Sequence, residues 1–111
     1  MSTPVGAWTA TVELPHRTRD VELTFLPDGV AVVREGETVA GTGTWAEAGA
    51  DRFTYELVEL IPGGCVVVSQ DGFIDEDTFR GTGVTKVYDD DGQLLRAVPA
   101  WVQATAVDHA V

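Results

Sequence analysis

The sequence predicts an all-β protein, a single closed antiparallel β-barrel of about eight strands in meander order. Turn-forming residues recur at short, regular intervals, and the segments between them are rich in Val, Thr and aromatic residues that alternate with period two. No segment shows convincing helical periodicity. Because closure removes exposed sheet edges, short connections between this many strands favour a barrel, and a two-sheet β-sandwich is the alternative.

The first four strands are predicted over residues 5–14, 20–27, 30–35 and 38–46. Apolar residues alternate along the first two of these segments: Trp8, Ala10, Val12 and Leu14 share one side of the first, and Val21, Leu23 and Phe25 share one side of the second. Turn residues at 15–16, 27–29, 35–37 and 48–49 separate the segments. Each segment therefore has one side suited to a core and one suited to water.

The last four strands are predicted over residues 52–61, 65–75, 78–89 and 93–107. The inward sides are Phe53, Tyr55 and Leu57 in the fifth strand, and Phe79, Gly81, Gly83, Thr85 and Val87 in the seventh. Asp71-Gly72 interrupts the sixth segment, and we interpret it as a β-bulge, because a split would leave only a fragment.

Length and charge limit the classes of function. The 111 residues fit one domain, residues 1–111, and the formal net charge of −11 disfavours nucleic acid and anionic membranes as partners. No twenty-residue apolar run is present, and no basic region precedes an apolar stretch at the N-terminus, so we expect a cytoplasmic protein. The excess of Arg over Lys is typical of a GC-rich bacterial genome.

The repeated "GTG" motif does not predict a nucleotide site. Gly41-Thr42-Gly43 and Gly81-Thr82-Gly83 lack the third glycine and the following helix of a dinucleotide fingerprint, and neither continues as a P-loop. Glycines two apart share one face of a strand. They favour tight strand coiling beside a crowded core, and the alternative is that they form the wall of a ligand cavity.

Two short motifs resemble a known group of barrels. Gly6-Ala7-Trp8 resembles the G-x-W start of lipocalin-like (calycin) barrels, and Gly43-Thr44-Trp45 repeats the pattern. The meander is also similar to allene-oxide-cyclase-like barrels, which include small bacterial Diels–Alder-type cyclases. This resemblance implies a β-barrel whose lumen holds a small hydrophobic molecule.

The polar clusters point to no metal and no cofactor. Asp89-Asp90-Asp91-Gly92 lacks the helices and the twelfth-position Glu of an EF-hand, so we interpret it as a hairpin turn. His16 and His109 are isolated, and Cys65 has no apparent base near it, so we interpret the cysteine as a small apolar filler.

The candidate site is the barrel lumen. We expect Tyr55 and Glu59 to be its catalytic groups, because an inward Tyr/Glu pair can donate a hydrogen bond or move a proton. We favour a solvated position at the rim for Glu59, with the inward position as the alternative. The expected ligand-binding residues are Trp45, Phe53, Leu57, Gln70, Phe79 and Trp101. The same bulky residues can also fill a barrel of this strand number completely.

Two classes of function follow. The first is a cofactor-independent cyclase or isomerase acting on a polyketide-like intermediate of natural-product biosynthesis, which would work by holding a flexible chain in a reactive conformation. The alternative is a non-catalytic carrier or sensor of a hydrophobic small molecule. A third, weaker option is a structural or partner-binding domain with a filled interior. The sequence leaves the reaction, the ligand and the oligomeric state open, a homodimer included.

Overall fold

The structure is a computed structural model that describes residues 3–107. Its strands are β1 (Gly6–Leu14), β2 (Arg17–Phe25), β3 (Val30–Glu35), β4 (Thr38–Gly49), β5 (Arg52–Ile61), β6 (Gly64–Asp75), β7 (Thr78–Asp89) and β8 (Leu94–Ala106). Within this part of the chain, no helix is long and apolar enough to cross a membrane. The all-β prediction is confirmed.

The eight strands form one closed barrel in meander order, as predicted. Each strand pairs antiparallel with the next one, and β8 pairs with β1 to complete the circle. Because antiparallel strands reverse at each turn, the turns after β1, β3, β5 and β7 lie at one end, which we call the open end. The other three turns lie at the opposite end, which we call the closed end.

Aromatic side chains fill the closed end. Phe25 lies at the centre, with its ring centroid 5.3 Å from those of Phe53 and Tyr55 and 6.1 Å from that of Phe79, all in edge-to-face geometry. Trp8 packs edge-to-face on Phe79 at 5.0 Å, and its indole nitrogen donates a hydrogen bond of 2.8 Å to a backbone carbonyl. Burying each of these rings contributes about 1.5–3 kcal/mol, so this cluster is the main apolar core.

Details of the strands differ from the prediction. β4 continues to Gly49, past its predicted end at residue 46, so the predicted turn residues 48–49 lie within the strand. β2 begins at Arg17 rather than at residue 20, because the two-residue turn allows Leu14 and Arg17 to pair directly. The bulge predicted at Asp71-Gly72 is wrong: β6 pairs in continuous register with both neighbours. The register shifts lie between other strands, where Ala40 and Ala48 of β4 and Leu95 of β8 are the extra residues. Gly72 instead leaves space for the ring of Phe53, since a Cβ atom there would stand 2.5 Å from a ring carbon.

The glycine pairs are explained by crowding. A Cβ atom added at Gly43 or Gly83 would overlap a backbone carbonyl oxygen of the neighbouring strand. One added at Gly41 would stand 2.6 Å from Cγ of Glu59, and one added at Gly81 would stand 2.8 Å from Oε1 of Gln70. The missing side chains therefore allow β4 and β7 to coil closely against β5 and β6, and the space they leave is taken by protein atoms rather than by a cavity.

Candidate functional site

An apolar cavity of about 480 Å³ opens at the open end of the barrel. Its volume lies within the roughly 300–1,000 Å³ that is common for small-molecule sites. The deeper walls are mainly aliphatic: Val12, Val21, Leu23, Val33, Leu57, Val66, Val68, Val98 and Val102. Polar and charged side chains join them toward the mouth: His16, Arg17, Arg19, Glu35, Glu59 and Arg96.

Two other depressions, of about 630 and 450 Å³, lie on the outer wall of the barrel. They are lined largely by outward-facing side chains such as Thr9, Thr11 and Thr44, and they are shallow grooves over the strands. The cavity at the open end is smaller than the larger groove. It is nevertheless the better candidate for a binding site, because inward-facing side chains surround it and can bury a ligand.

The cavity exists because the size of the inward side chains changes along the barrel axis. At the closed end the inward residues of β2, β5 and β7 are Phe25, Phe53 and Phe79, which fill the cross-section. Toward the open end the inward positions carry smaller residues, such as Val68 in β6 and Val102 in β8. An eight-stranded barrel is just wide enough for side chains to fill it, so replacing rings by aliphatic groups leaves room for a ligand.

An ion pair lies inside the mouth of this cavity. The Arg19 guanidinium donates two hydrogen bonds to the Glu59 carboxylate, of 3.1 and 2.9 Å, and also hydrogen-bonds the Glu35 carboxylate. The Arg19 and Glu59 side chains are only 14% and 10% exposed, whereas Glu35 is 52% exposed. This two-bond geometry suits the planar fork of arginine and fixes both side chains against the cavity wall.

The charges of Arg19, Glu35 and Glu59 stabilise one another. Burial acts to lower the pKa of Arg19, but hydrogen bonding and charge attraction from Glu59 and Glu35 outweigh it, so that the net pKa is raised. Arg19 therefore stays cationic. Both carboxylates that line the cavity are hydrogen-bonded to it, and Glu59 has bonds to both of its oxygens.

Tyr55 lies between the aromatic core and the cavity. Its ring packs on Phe25 and Phe53, and the residue also borders the cavity. Burial raises the pKa of its hydroxyl well above the usual value, so the group is neutral at physiological pH. Within residues 3–107 this hydroxyl has no hydrogen-bond partner, and it is available to donate a hydrogen bond to a ligand.

Gln70 lies in the same layer of the barrel, paired with Tyr55 across β5 and β6. It is 3% exposed, and its Nε2 donates a hydrogen bond of 3.2 Å to the Ala100 carbonyl. Its Oε1 is buried without a partner in the described part of the chain. Gln70 does not border the cavity, so its expected role in ligand binding stays a prediction.

The structure brings together only part of the predicted set of site residues. Tyr55, Leu57 and Glu59 border the cavity. Phe53 and Phe79 point inward as expected but are packed within the aromatic core. Trp45 is half-buried at the closed end, where its indole nitrogen donates a hydrogen bond of 2.7 Å to the Leu26 carbonyl.

The prediction that Trp101 lines the lumen is wrong. Trp101 is 46% exposed and lies on the outer face of β8, next to Glu13 and Thr82 of the neighbouring strands. The reason is register: Ala100 and Val102 are the buried residues, and side chains alternate sides along a strand.

The position expected for Glu59 also needs correction. Glu59 is 8% exposed and faces inward, rather than standing in water at the rim, because Arg19 compensates its charge. No hydrogen bond joins it to Tyr55. The two residues are four positions apart on one strand, which at about 3.3 Å per residue separates their Cα atoms by about 13 Å. They do not form a proton-transferring pair.

The remaining polar candidates within residues 3–107 form no metal cluster. Within residues 3–107, no group of three or more His, Cys, Asp or Glu side chains is placed to hold a metal. The Asp89 carboxylate accepts hydrogen bonds of 2.9 Å from the backbone nitrogens of Asp91 and Gln93, which is the geometry of a hairpin turn. Cys65 is a half-buried free thiol on β6. His16 borders the cavity mouth, and His109 lies outside the described residues.

Sequence reasoning missed the arginines of the cavity. Arg17 and Arg19 continue the alternation of Val21, Leu23 and Phe25, but β2 was predicted to begin after them. Arg96 continues the alternation of Val98, Ala100 and Val102 in the same way. Extending the period-two pattern to the turns would have placed all three on the inward side.

Comparisons with protein-family models, with curated proteins and with solved structures gave no match for this chain.

Proposed function

We propose that this protein binds a small, mostly apolar organic molecule in the cavity at the open end of the barrel. The observation that carries the proposal is the cavity itself: inward aliphatic side chains surround its deeper part, and its charged groups lie toward the mouth. Apolar walls with a small number of placed polar groups are the usual composition of small-molecule sites. The resemblance of the barrel to calycin-like proteins supports the same function.

The volume limits the size of the ligand. A cavity of about 480 Å³ corresponds to roughly sixteen water volumes of about 30 Å³ each. A molecule with an apolar body of about ten carbon atoms fits this space. Its apolar part would contact the valine and leucine walls, and the Tyr55 hydroxyl would supply a hydrogen bond near the floor.

A second candidate function is favoured by Tyr55. A neutral, unpaired hydroxyl beside an apolar cavity can donate a hydrogen bond to a substrate carbonyl and draw electron density from a conjugated double bond. In an intramolecular cycloaddition of a polyene ketone, two carbon–carbon bonds form and no atom leaves, so no cofactor is required. Holding such a chain in its reactive conformation contributes up to about 7–11 kcal/mol in favourable cases. We therefore propose a cofactor-independent cyclase or isomerase as the catalytic form of this function.

Filling the cavity tests the binding proposal. In Val68→Phe a ring replaces an inward aliphatic side chain of the wall, whereas in Val84→Phe the same ring is added on the outer face of β7. We expect the parent protein and Val84→Phe to bind the neutral dye Nile red equally, and Val68→Phe to bind it at least about tenfold more weakly. Thermal unfolding of all three proteins checks that the fold is intact. Absence of binding to the parent, or equal binding to both variants, would refute the proposal.

Product analysis separates an enzyme from a carrier. Incubating the protein with a linear triene that bears an α,β-unsaturated ketone should give a cyclic isomer of the same mass if the protein is a cyclase. In that case we expect Tyr55→Phe to lower the rate of cyclisation more than it lowers Nile red binding. Recovery of the unchanged triene, with binding intact, would favour the carrier.

A further inference from the structure

We propose that the ligand of this cavity is an acidic amphiphile, whose anionic group lies at the mouth beside Arg17 and Arg96 and whose apolar body lies in the lumen. This inference rests on the proposed function, and it adds the chemical class of the ligand. Its basis is the charge of the side chains that line the cavity, among which the acidic residues of the neighbouring turns, Glu37 and Asp89–Asp91, are absent.

Basic residues are scarce in this protein but are concentrated at this mouth. The whole chain has seven Lys and Arg residues and a formal net charge of −11. Three of those residues, Arg17, Arg19 and Arg96, line the cavity. They face only two carboxylates there, Glu35 and Glu59, so the charge of the lining is positive in a strongly acidic protein.

The strand register places these arginines on the inward side. Arg17 and Arg19 share a face of β2 with the buried Val21, and Arg96 shares a face of β8 with the buried Val102. If these rim positions served only solubility, acidic residues would serve equally well there, and acidic residues dominate the rest of the chain. The inward arginines therefore point to a ligand that carries the opposite charge.

The arginines differ in what they already bind. Arg19 holds both carboxylates of the cavity, Glu35 and Glu59. Arg17 and Arg96 make no salt bridge within residues 3–107. The mouth thus presents two guanidinium groups without an acidic partner in the described part of the chain, while each lining carboxylate is paired. Guanidinium groups bind carboxylates and related anions through paired hydrogen bonds, so this arrangement selects an anion over a cation.

Three probes with one apolar body test this inference: decanoate, decan-1-ol and decylammonium, each titrated calorimetrically at neutral pH and low salt. We expect decanoate to bind about tenfold more tightly than decan-1-ol, and decylammonium to bind most weakly. Because both arginines are exposed, added salt should weaken decanoate binding and leave decan-1-ol binding unchanged.

Charge-matched variants locate the effect. Arg17→Gln combined with Arg96→Gln should lower decanoate affinity about fivefold to tenfold and change decan-1-ol affinity by less than about twofold. Arg34→Gln combined with Arg80→Gln removes the same charge from exposed positions outside the cavity and should change neither affinity. Decanoate affinity that falls equally in both double variants would overturn the inference.

The remaining outcomes separate this inference from the proposed function. Tight binding of decan-1-ol with no preference for decanoate would refute the acidic head group and leave the apolar binding site standing. Failure of all three probes, with Nile red still bound, would refute the acidic amphiphile, whereas failure of Nile red as well would refute the proposed function itself.

Discussion

Replacing Arg19 by methionine tests how the buried ion pair contributes to stability. The substitution removes the guanidinium that bonds both oxygens of Glu59, while keeping an unbranched apolar stem. Glu59 has no other ion-pair partner in residues 3–107, and its side chain is 10% exposed. Arg19, in contrast, has a second partner in Glu35. The two single variants at this pair should therefore be unequal.

The expected magnitudes follow from that asymmetry. Removing one member of a buried pair costs about 3–5 kcal/mol, and the small remaining exposure of Glu59 places Arg19→Met near about 3 kcal/mol. Glu59→Leu leaves Arg19 bonded to the exposed Glu35 carboxylate, so we expect a smaller loss of about 1–2 kcal/mol. The double variant has no uncompensated charge inside the barrel and should lie within about 1 kcal/mol of the parent protein.

Urea denaturation followed by tryptophan fluorescence measures these free energies of unfolding. The double-mutant cycle should give a coupling energy of about 4–5 kcal/mol, because the double variant lies near the parent protein and the two single losses do not add. Arg80→Met, at an exposed arginine of the outer face, is the control and should change stability by less than about 0.5 kcal/mol. Equal losses in the two single variants, or a double variant that shows their sum, would refute this account of the pair.

Three further predictions concern single residues. Burial raises the pKa of Tyr55 in the folded state, so the contribution of this residue to stability is complete below about pH 10 and is lost as the pH rises through the folded pKa, by up to about 1.4 kcal/mol per pH unit. In urea denaturation at alkaline pH, Tyr55→Phe should lack this loss, and an unchanged pH dependence would contradict the assignment. Gly43→Ala should lower the free energy of unfolding by about 1–3 kcal/mol or more in chemical denaturation, because the added Cβ would overlap the backbone of the neighbouring strand. Thr42→Ala, at an outward position, should have little effect, and similar values for both variants would contradict the crowding argument. Trp101→Ala should lower the free energy of unfolding by less than about 1 kcal/mol and leave Nile red binding unchanged, whereas Trp8→Ala should lower it by about 3–5 kcal/mol. A large loss of stability in Trp101→Ala would place Trp101 in the core.

The barrel was predictable because its signals are local. The alternation at Trp8, Phe25 and Phe53 fixes which side of each strand is buried, and short turns restrict the strand order to a meander. The site was less predictable, because the lumen is shaped by side chains from distant strands. Nothing local shows that Phe53 and Phe79 contact Phe25 and fill the closed end.

Two residues show where sequence reasoning reached its limit. Trp101 is large and apolar, which favoured an inward position, but the register set by Ala100 and Val102 turns it outward. Glu59 faces inward because Arg19, forty residues away in sequence, pairs with it. The alternation of each strand places its residue on the inward side, but nothing within either strand shows that the two residues pair, so the carboxylate was expected to stay in water.

The closure of the barrel has a consequence for how the chain folds. Seven of the eight strand pairs join sequence neighbours, whereas the eighth joins β1 to β8 and brings Trp8 opposite Ala106. That last pairing has the largest loop-closure entropy, so we expect it to form late and to limit the folding rate. Until it forms, β1 and β8 are unpaired edges able to add a strand from another molecule. Refolding yield should therefore fall as protein concentration rises, although the finished barrel has no free edge.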